Sequence, residues 1–286
     1  MKILSKSYIA LILAILYVPI LVLMLFSFNS TNNTGVLTGF SLYWYRELFR
    51  SAEAFNALKN TLILAVSSAA ISTVIGTAAA LGLSRMRSRL AKGTITSITN
   101  VPMMNPDIVT GISMMLLFVF VGSMLHLDDK LSFWTLLIAH VTFNLPYVIL
   151  NVSPKFRQMD KFLPEAALDL GCTPVQSFFK VELPCVMPGI VTGFIMAFTM
   201  SLDDFVISYF CAGSDFQTLP ILIYSMTKKE VKPDIYALST LMIIAILTLL
   251  ILTNLSEGKG EGLKDKLYDR RSRRRVARAM RKDGGA

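Results

Sequence analysis

Apolar runs of about 20 residues recur along the chain, separated by shorter segments rich in Lys, Arg, Pro and polar residues. A helix of that length crosses the ~30 Å hydrocarbon layer of a bilayer, because each residue advances about 1.5 Å. Six windows fit: residues 8–28, 60–83, 94–122, 132–152, 188–211 and 235–254. The third is the least regular, broken by polar residues and two prolines. The pattern predicts an all-α integral membrane protein with six transmembrane helices. Residues 1–59 would hold the first span and an outer loop, 60–254 the transmembrane core, and 255–286 a basic cytoplasmic tail. The first window follows Lys2 and Lys6, as a signal peptide would, but its apolar run exceeds the roughly 7–15 residues of a signal core. No small-residue cleavage pattern follows it, so it reads as an uncleaved anchor.

Composition agrees with a membrane protein. Of 286 residues, 53% are hydrophobic and 16% charged, too apolar for an ordinary soluble domain. The positive charges orient the spans. With the N-terminus inside, 21 of the 28 Lys and Arg residues fall on the inner side and 7 in the outer loops, which predicts N-in/C-in. The net charge of +9 is then accounted for by topology, and no nucleic-acid partner is implied. Eight basic residues between Arg270 and Lys282 suit a solvated tail or one lying on anionic lipid. Cys172, Cys185 and Cys211 have neither metal spacing nor a disulfide pattern, and His126 and His140 are too far apart to suggest a metal site.

The inner loop between the fourth and fifth windows, about 153–187, has strong local signals. Asp160 is placed to cap a short helix with Pro164 in its first turn. Leu163, Ala166, Ala167 and Leu170 make its apolar face, and Gly171 supplies the stop. Thr173-Pro174 starts a second helix, which Leu183-Pro184 is expected to end. From pattern alone this is a helical hairpin on the membrane surface.

The spacing carries more. Glu165-Ala166-Ala167, then Gly171, then Val181-x-Leu183-Pro184 resembles the EAA loop of ATP-binding-cassette importer permeases, with Val181 in place of Ile. Phe26-Ser27-Phe28-Asn29, Trp44-Tyr45, Asn105-Pro106-Asp107, SLDD and TLPILIYSM extend the likeness over most of the chain. Together they resemble the second of two permeases in bacterial spermidine/putrescine importers, although the basic tail is longer than that family leads one to expect. The resemblance implies a type I ABC importer permease fold in the bacterial cytoplasmic membrane. It implies as partners a second, non-identical permease, two ATP-binding subunits and an external polyamine-binding protein. It makes the helix around Leu163–Leu170 the coupling helix docking on one ATPase, with Ala166 and Ala167 permitting close helix approach, Gly171 allowing the sharp turn, and Glu165 either capping that turn or contacting the ATPase. The chain has no G-x-x-x-x-G-K-[ST] loop, so no cofactor is expected in it, and ATP and Mg would be bound by the partner ATPase.

Polar residues inside the apolar windows are the candidates for a substrate path. An aspartate at the centre of a membrane helix costs roughly 2.5–3.5 kcal/mol on insertion scales. The fifth window nevertheless carries two, Asp203 and Asp204. On a continuous helix they diverge by about 100°. Ser201, Asp204 and Ser208 then share one stripe, and Thr192, Thr199 and Asp203 another. Asp204 is the favoured path residue and Asp203 is open between path and helix contact. A carboxylate there suits a cationic cargo; the alternative is a hydrogen-bonded Asp fixing helix packing. In the fourth window His140, Asn144, Tyr147 and Asn151 follow i, i+4, i+7, i+11 on one face, suited to a cavity or to interhelical bonds alike. Asn105-Pro106-Asp107 reads as a helix restart, with Asn105 as the cap. Ser68, Ser72, Gly76 and Ala80 form a small-residue ridge for close helix contact. Aspartyl proteolysis needs two converging carboxylates and prenyl transfer two Asp-rich motifs, so neither enzyme class fits. The remaining alternative is the same machine with another cargo: a different organic cation, an iron chelate or a phosphonate.

Overall fold

The computed structural model describes residues 2–31, 36–160, 162–214, 216–228, 234–248 and 250–251. Among them the architecture is helical, with one isolated antiparallel bridge between Asn29 and Phe40. In order the helices are α1 (Lys2–Phe26), α2 (Tyr43–Arg50), α3 (Ala52–Arg85), α4 (Arg89–Met104), α5 (Asp107–Met124), α6 (Phe133–Gln158), α7 (Phe162–Asp169), α8 (Pro174–Ser177), α9 (Leu183–Asp203), α10 (Val206–Cys211) and α11 (Leu219–Thr227). A further helix, α12 (Asp234–Thr248), follows.

Among the described residues, five stretches are long and apolar enough to cross a membrane: Ser7–Phe26, Ala52–Arg85, Asp107–Met124, Phe133–Gln158 and Pro174–Asp203. The sixth window enters the shorter α12, and its residues 249 and 252–254 lie outside the described residues, as does the basic tail. The third window is corrected. Its first part belongs to α4, a helix with no buried residue, and only α5 has the length and apolarity of a span. The break falls at Asn105-Pro106 as expected, but Asn105 is not the cap. Pro106 holds that position, and its carbonyl accepts from the Val109 and Thr110 amides at 2.9 and 3.2 Å. A proline lacks an N–H and so suits a helix start. Asp107 sits in the first turn, where the helix dipole favours a carboxylate.

The chain forms two compact units. One comprises residues 1–69, 100–144 and 198–247. Its apolar core joins Leu48 of α2, Ala54 and Ala57 of α3, Leu219 and Leu222 of α11, and Leu238 of α12. Helix α2 is tied to the end of α1: Ser27 and Tyr45 hydroxyls lie 2.7 Å apart, and the Trp44 indole N–H donates to the Asn29 carbonyl at 2.8 Å. The other unit comprises the described residues of 70–99, 145–197 and 248–251. Here the ridge of small residues does what its spacing predicts. Ser72, Gly76 and Ala80 are buried, and a Cβ at Gly76 would stand 2.6 Å from a Val148 methyl. Only a residue without a side chain lets α3 approach α6 so closely.

Candidate coupling loop and substrate path

The loop after α6 is a helical hairpin built almost entirely from local signals. The Asp160 carboxylate accepts from the Phe162 amide at 3.1 Å and opens α7. Gly171, at φ +86°, closes it. The Gly171 amide donates to Leu168 and the Cys172 amide to Ala167, the two bonds that end a helix on a left-handed residue. Thr173 then caps α8 through a reciprocal pair: its Oγ1 accepts from the Gln176 amide at 3.3 Å, and its own amide donates to the Gln176 side chain at 3.0 Å.

On α7 the residues divide by face. Ala167 is buried toward the hairpin, while Glu165, Leu163, Ala166 and Leu170 are exposed, Leu170 at 86%. Phe162 adds to the exposed apolar surface. The exposed face of α7 is thus apolar and small-residued.

The second helix does not end at Leu183-Pro184. A π-helical turn, Phe178–Glu182, carries the backbone directly into α9, and Pro184 is the second residue of that helix. The last residue of the turn, Glu182, is buried, and its carboxylate accepts from the Arg85 guanidinium at 2.6 Å. The sequence reading missed this pair. The available signal was a carboxylate set between Val181 and Leu183, an apolar context in which it needs a partner. Around the pair lies a cavity of about 600 Å3, lined by Arg85, Lys92, Arg157, Pro164, Glu165 and Glu182 among others.

The carboxylate pair lies in the first unit, and there the expectation of a continuous helix fails. Helix α9 ends at Asp203, and α10 begins at Val206. Asp204 stands in the break with its side chain folded onto the start of α10. It accepts from the Ile207 amide at 3.3 Å and from the Ser208 amide at 2.8 Å. Its second oxygen is also 3.5 Å from Nε2 of His140. His140 is fully buried and reaches Ser201 through Nδ1 at 2.6 Å and Ser208 through Nε2 at 3.1 Å. Ser201 continues the chain to Ser68 at 2.8 Å. A hydrogen on Nε2 directed at Ser208 and a lone pair on Nδ1 accepting from Ser201 fit these contacts. The predicted stripe of Ser201, Asp204 and Ser208 is therefore real as a grouping, but it closes on His140. Asp203, by contrast, is exposed at the end of α9. Asn144, one turn beyond His140, is fully buried, and its side-chain polar atoms have no hydrogen-bond partner among the described residues. Tyr147 and Asn151 fall in the other unit, where Tyr147 is half-buried and the Asn151 amide donates to the Tyr147 carbonyl.

Residues 72–257 match the model of the family described as "binding-protein-dependent transport system inner membrane component". The chain belongs to this family. It is thus an inner-membrane transport component and not an enzyme. Among its curated relatives in the family, the chain is 40% identical to the putrescine transport system permease protein PotI of Escherichia coli, over 81% of this chain and 82% of that one. It is 37% identical to the spermidine/putrescine transport system permease protein PotC of the same organism, over 89% and 94%. Among solved structures, the fold matches a bacterial alginate ABC transporter with a TM-score of 0.67 at 15% identity, covering 88% of this chain and 95% of that one. The permease fold inferred from the loop motif is therefore the fold of this chain.

Proposed function

We propose that the chain is one permease subunit of an ATP-driven polyamine importer. It would pair with a second permease and two ATP-binding subunits, which hold ATP and Mg, and receive its cargo from an external binding protein. The spans would be six, with both termini inside. Helix α7 would dock on an ATPase through Leu163, Ala166 and Leu170, with Glu165 and Ala167 shaping the contact and the Gly171 turn. Nucleotide-driven movement of α7 would rock the spans between inward- and outward-facing states, an equilibrium shifted by whichever ligand binds one state better.

The observation that carries the choice of cargo is the likeness, across four-fifths or more of the chain, to permeases named for putrescine and spermidine. The broken helix supports it. Asp203 offers an accessible carboxylate at the end of the fifth apolar stretch, and Asn144 offers a buried amide with no partner among the described residues, whose isolation costs roughly 1–3 kcal/mol unless another group pairs with it. A carboxylate in a low-dielectric path offsets the dehydration of an ammonium group, and would repel a phosphonate.

The test is uptake of labelled putrescine and spermidine by the complete transporter in proteoliposomes, with ATP hydrolysis recorded in parallel. The wild type should accumulate one or both, and Asp203→Asn should lower uptake by about tenfold while leaving assembly intact, the cost of one lost charge-assisted contact of about 1.4 kcal/mol. ATP hydrolysis with no polyamine movement would leave the permease and reject the cargo, in favour of another cation or an iron chelate.

A further inference from the structure

We infer that the ion pair between Arg85 and Glu182 is the tie that makes membrane helix α3 follow the coupling hairpin. The inference rests on the reading of α7 as the segment an ATPase engages. Glu182 is 2% exposed and ends the π-helical turn, while Arg85 is the last residue of α3. Their 2.6 Å contact joins positions 97 residues apart. A carboxylate withdrawn from water needs a compensating charge or hydrogen-bond donors. Among the described residues Arg85 is its only ion-pair partner. The Glu182 side chain therefore keeps its place only where the end of α3 can reach it.

The guanidinium is held from its own side too. It lies at the C-terminal end of α3, where exposed carbonyls favour a cation. More than half of it remains in contact with solvent, so it can stay hydrated while one nitrogen engages Glu182.

The hairpin transmits displacement because each of its joints is closed. The Gly171 turn fixes the exit of α7, the Thr173–Gln176 cap fixes the entry of α8, and the Ser177 hydroxyl donates back to the Pro164 carbonyl at 3.5 Å. From Ser177 the backbone runs without a break through the π turn to Glu182. A push on α7 reaches Glu182 through hydrogen-bonded structure and then passes to α3 through one charged contact. Arg85 and Glu182 are thus positioning residues, which touch neither cargo nor nucleotide.

Two measurements on the complete transporter test this. In the first, Cys172, Cys185 and Cys211 are replaced by Ala, and spin labels are attached at Gly82→Cys on α3 and Val175→Cys on α8. A Cβ at Gly82 meets no atom within 4 Å, and Val175 is 65% exposed. The wild-type pairing should keep one narrow distance with and without ATP, and Glu182→Gln should broaden it. A wild-type distance that changes with ATP, or a Glu182→Gln distribution equal to wild type, overturns the tie.

The second is a double-mutant cycle on uptake per ATP hydrolysed. Arg85→Gln and Glu182→Gln should each lower this ratio at least about fivefold. Arg85→Lys should restore most of it, and the double substitution should be no worse than Glu182→Gln alone. Additive losses, or an unchanged ratio in both single variants, overturn the inference. Should Glu182→Gln not assemble, Arg85→Gln carries both measurements, since its site is at an exposed helix end. Cross-linking from Ala166→Cys to the ATPase separates the two readings. If it fails, the docking assignment of α7 fails, while the spin-label distance still decides the tie.

Discussion

Asp203 and Asp204 are neighbours in the chain with opposite surroundings. Asp204 spends its oxygens on two backbone amides and on His140, and its side chain is only 7% exposed. Removing it leaves the Ile207 and Ser208 amides of α10 without their acceptor, and losing such a bond at a helix start costs roughly 0.5–2 kcal/mol. Asp204→Ala should therefore lower the thermal unfolding midpoint of the purified permease in detergent, and Asp203→Ala should leave it nearly unchanged. Equal losses in both would mean that the network around His140 does not stabilise the break. The sequence spacing grouped Ser201, Asp204 and Ser208 correctly. What it could not supply was the ending of α9 at Asp203, because no proline or glycine punctuates SLDDFVISY. Where the helix stops, the Asp204 side chain bonds the Ile207 and Ser208 amides at the start of α10.

The elements that were legible are those specified by local chemistry. Asp160, Gly171 and the Thr173–Gln176 pair each act within a few residues, so their types and spacing determine α7, its stop and α8. The π turn was not legible, since Leu183-Pro184 looks equally like the end of one helix and the start of the next. Nor was the ion pair, whose members are 97 residues apart and meet only through tertiary packing. Gly171 gives an element-scale prediction. At φ +86° a side chain other than that of Gly or Asn costs roughly 1–2 kcal/mol. Gly171→Ala should loosen the hairpin, and uptake per ATP hydrolysed should fall, while Gly171→Asn retains more of it. An Ala variant that couples as well as wild type would show that the turn is not needed to hold α7.

For the whole molecule, the apolar windows predicted where the chain can cross a membrane, and five described stretches have the length to do so. The third window was drawn too long because hydropathy averages over the Pro106 break and takes in α4. The proposed N-in/C-in orientation rests on charge alone, and it is open to a direct check. In a Cys-free background, Arg46→Cys should react with a membrane-impermeant maleimide in spheroplasts, and Val175→Cys only after the membrane is opened. The reverse pattern would invert the topology. The π turn has a consequence for the angular phase of the inner machinery. Its i→i+5 bonds spread one turn over an extra residue, so that residue is absorbed as a local bulge and the helix on either side keeps its angular phase. A chain shortened by one residue between Phe178 and Glu182 would wind that turn tighter and leave Leu163, Ala166 and Leu170 at nearly the same azimuth about the axis of α9. The turn takes up a difference in length without passing it on as rotation, much as an expansion joint takes up a change in span.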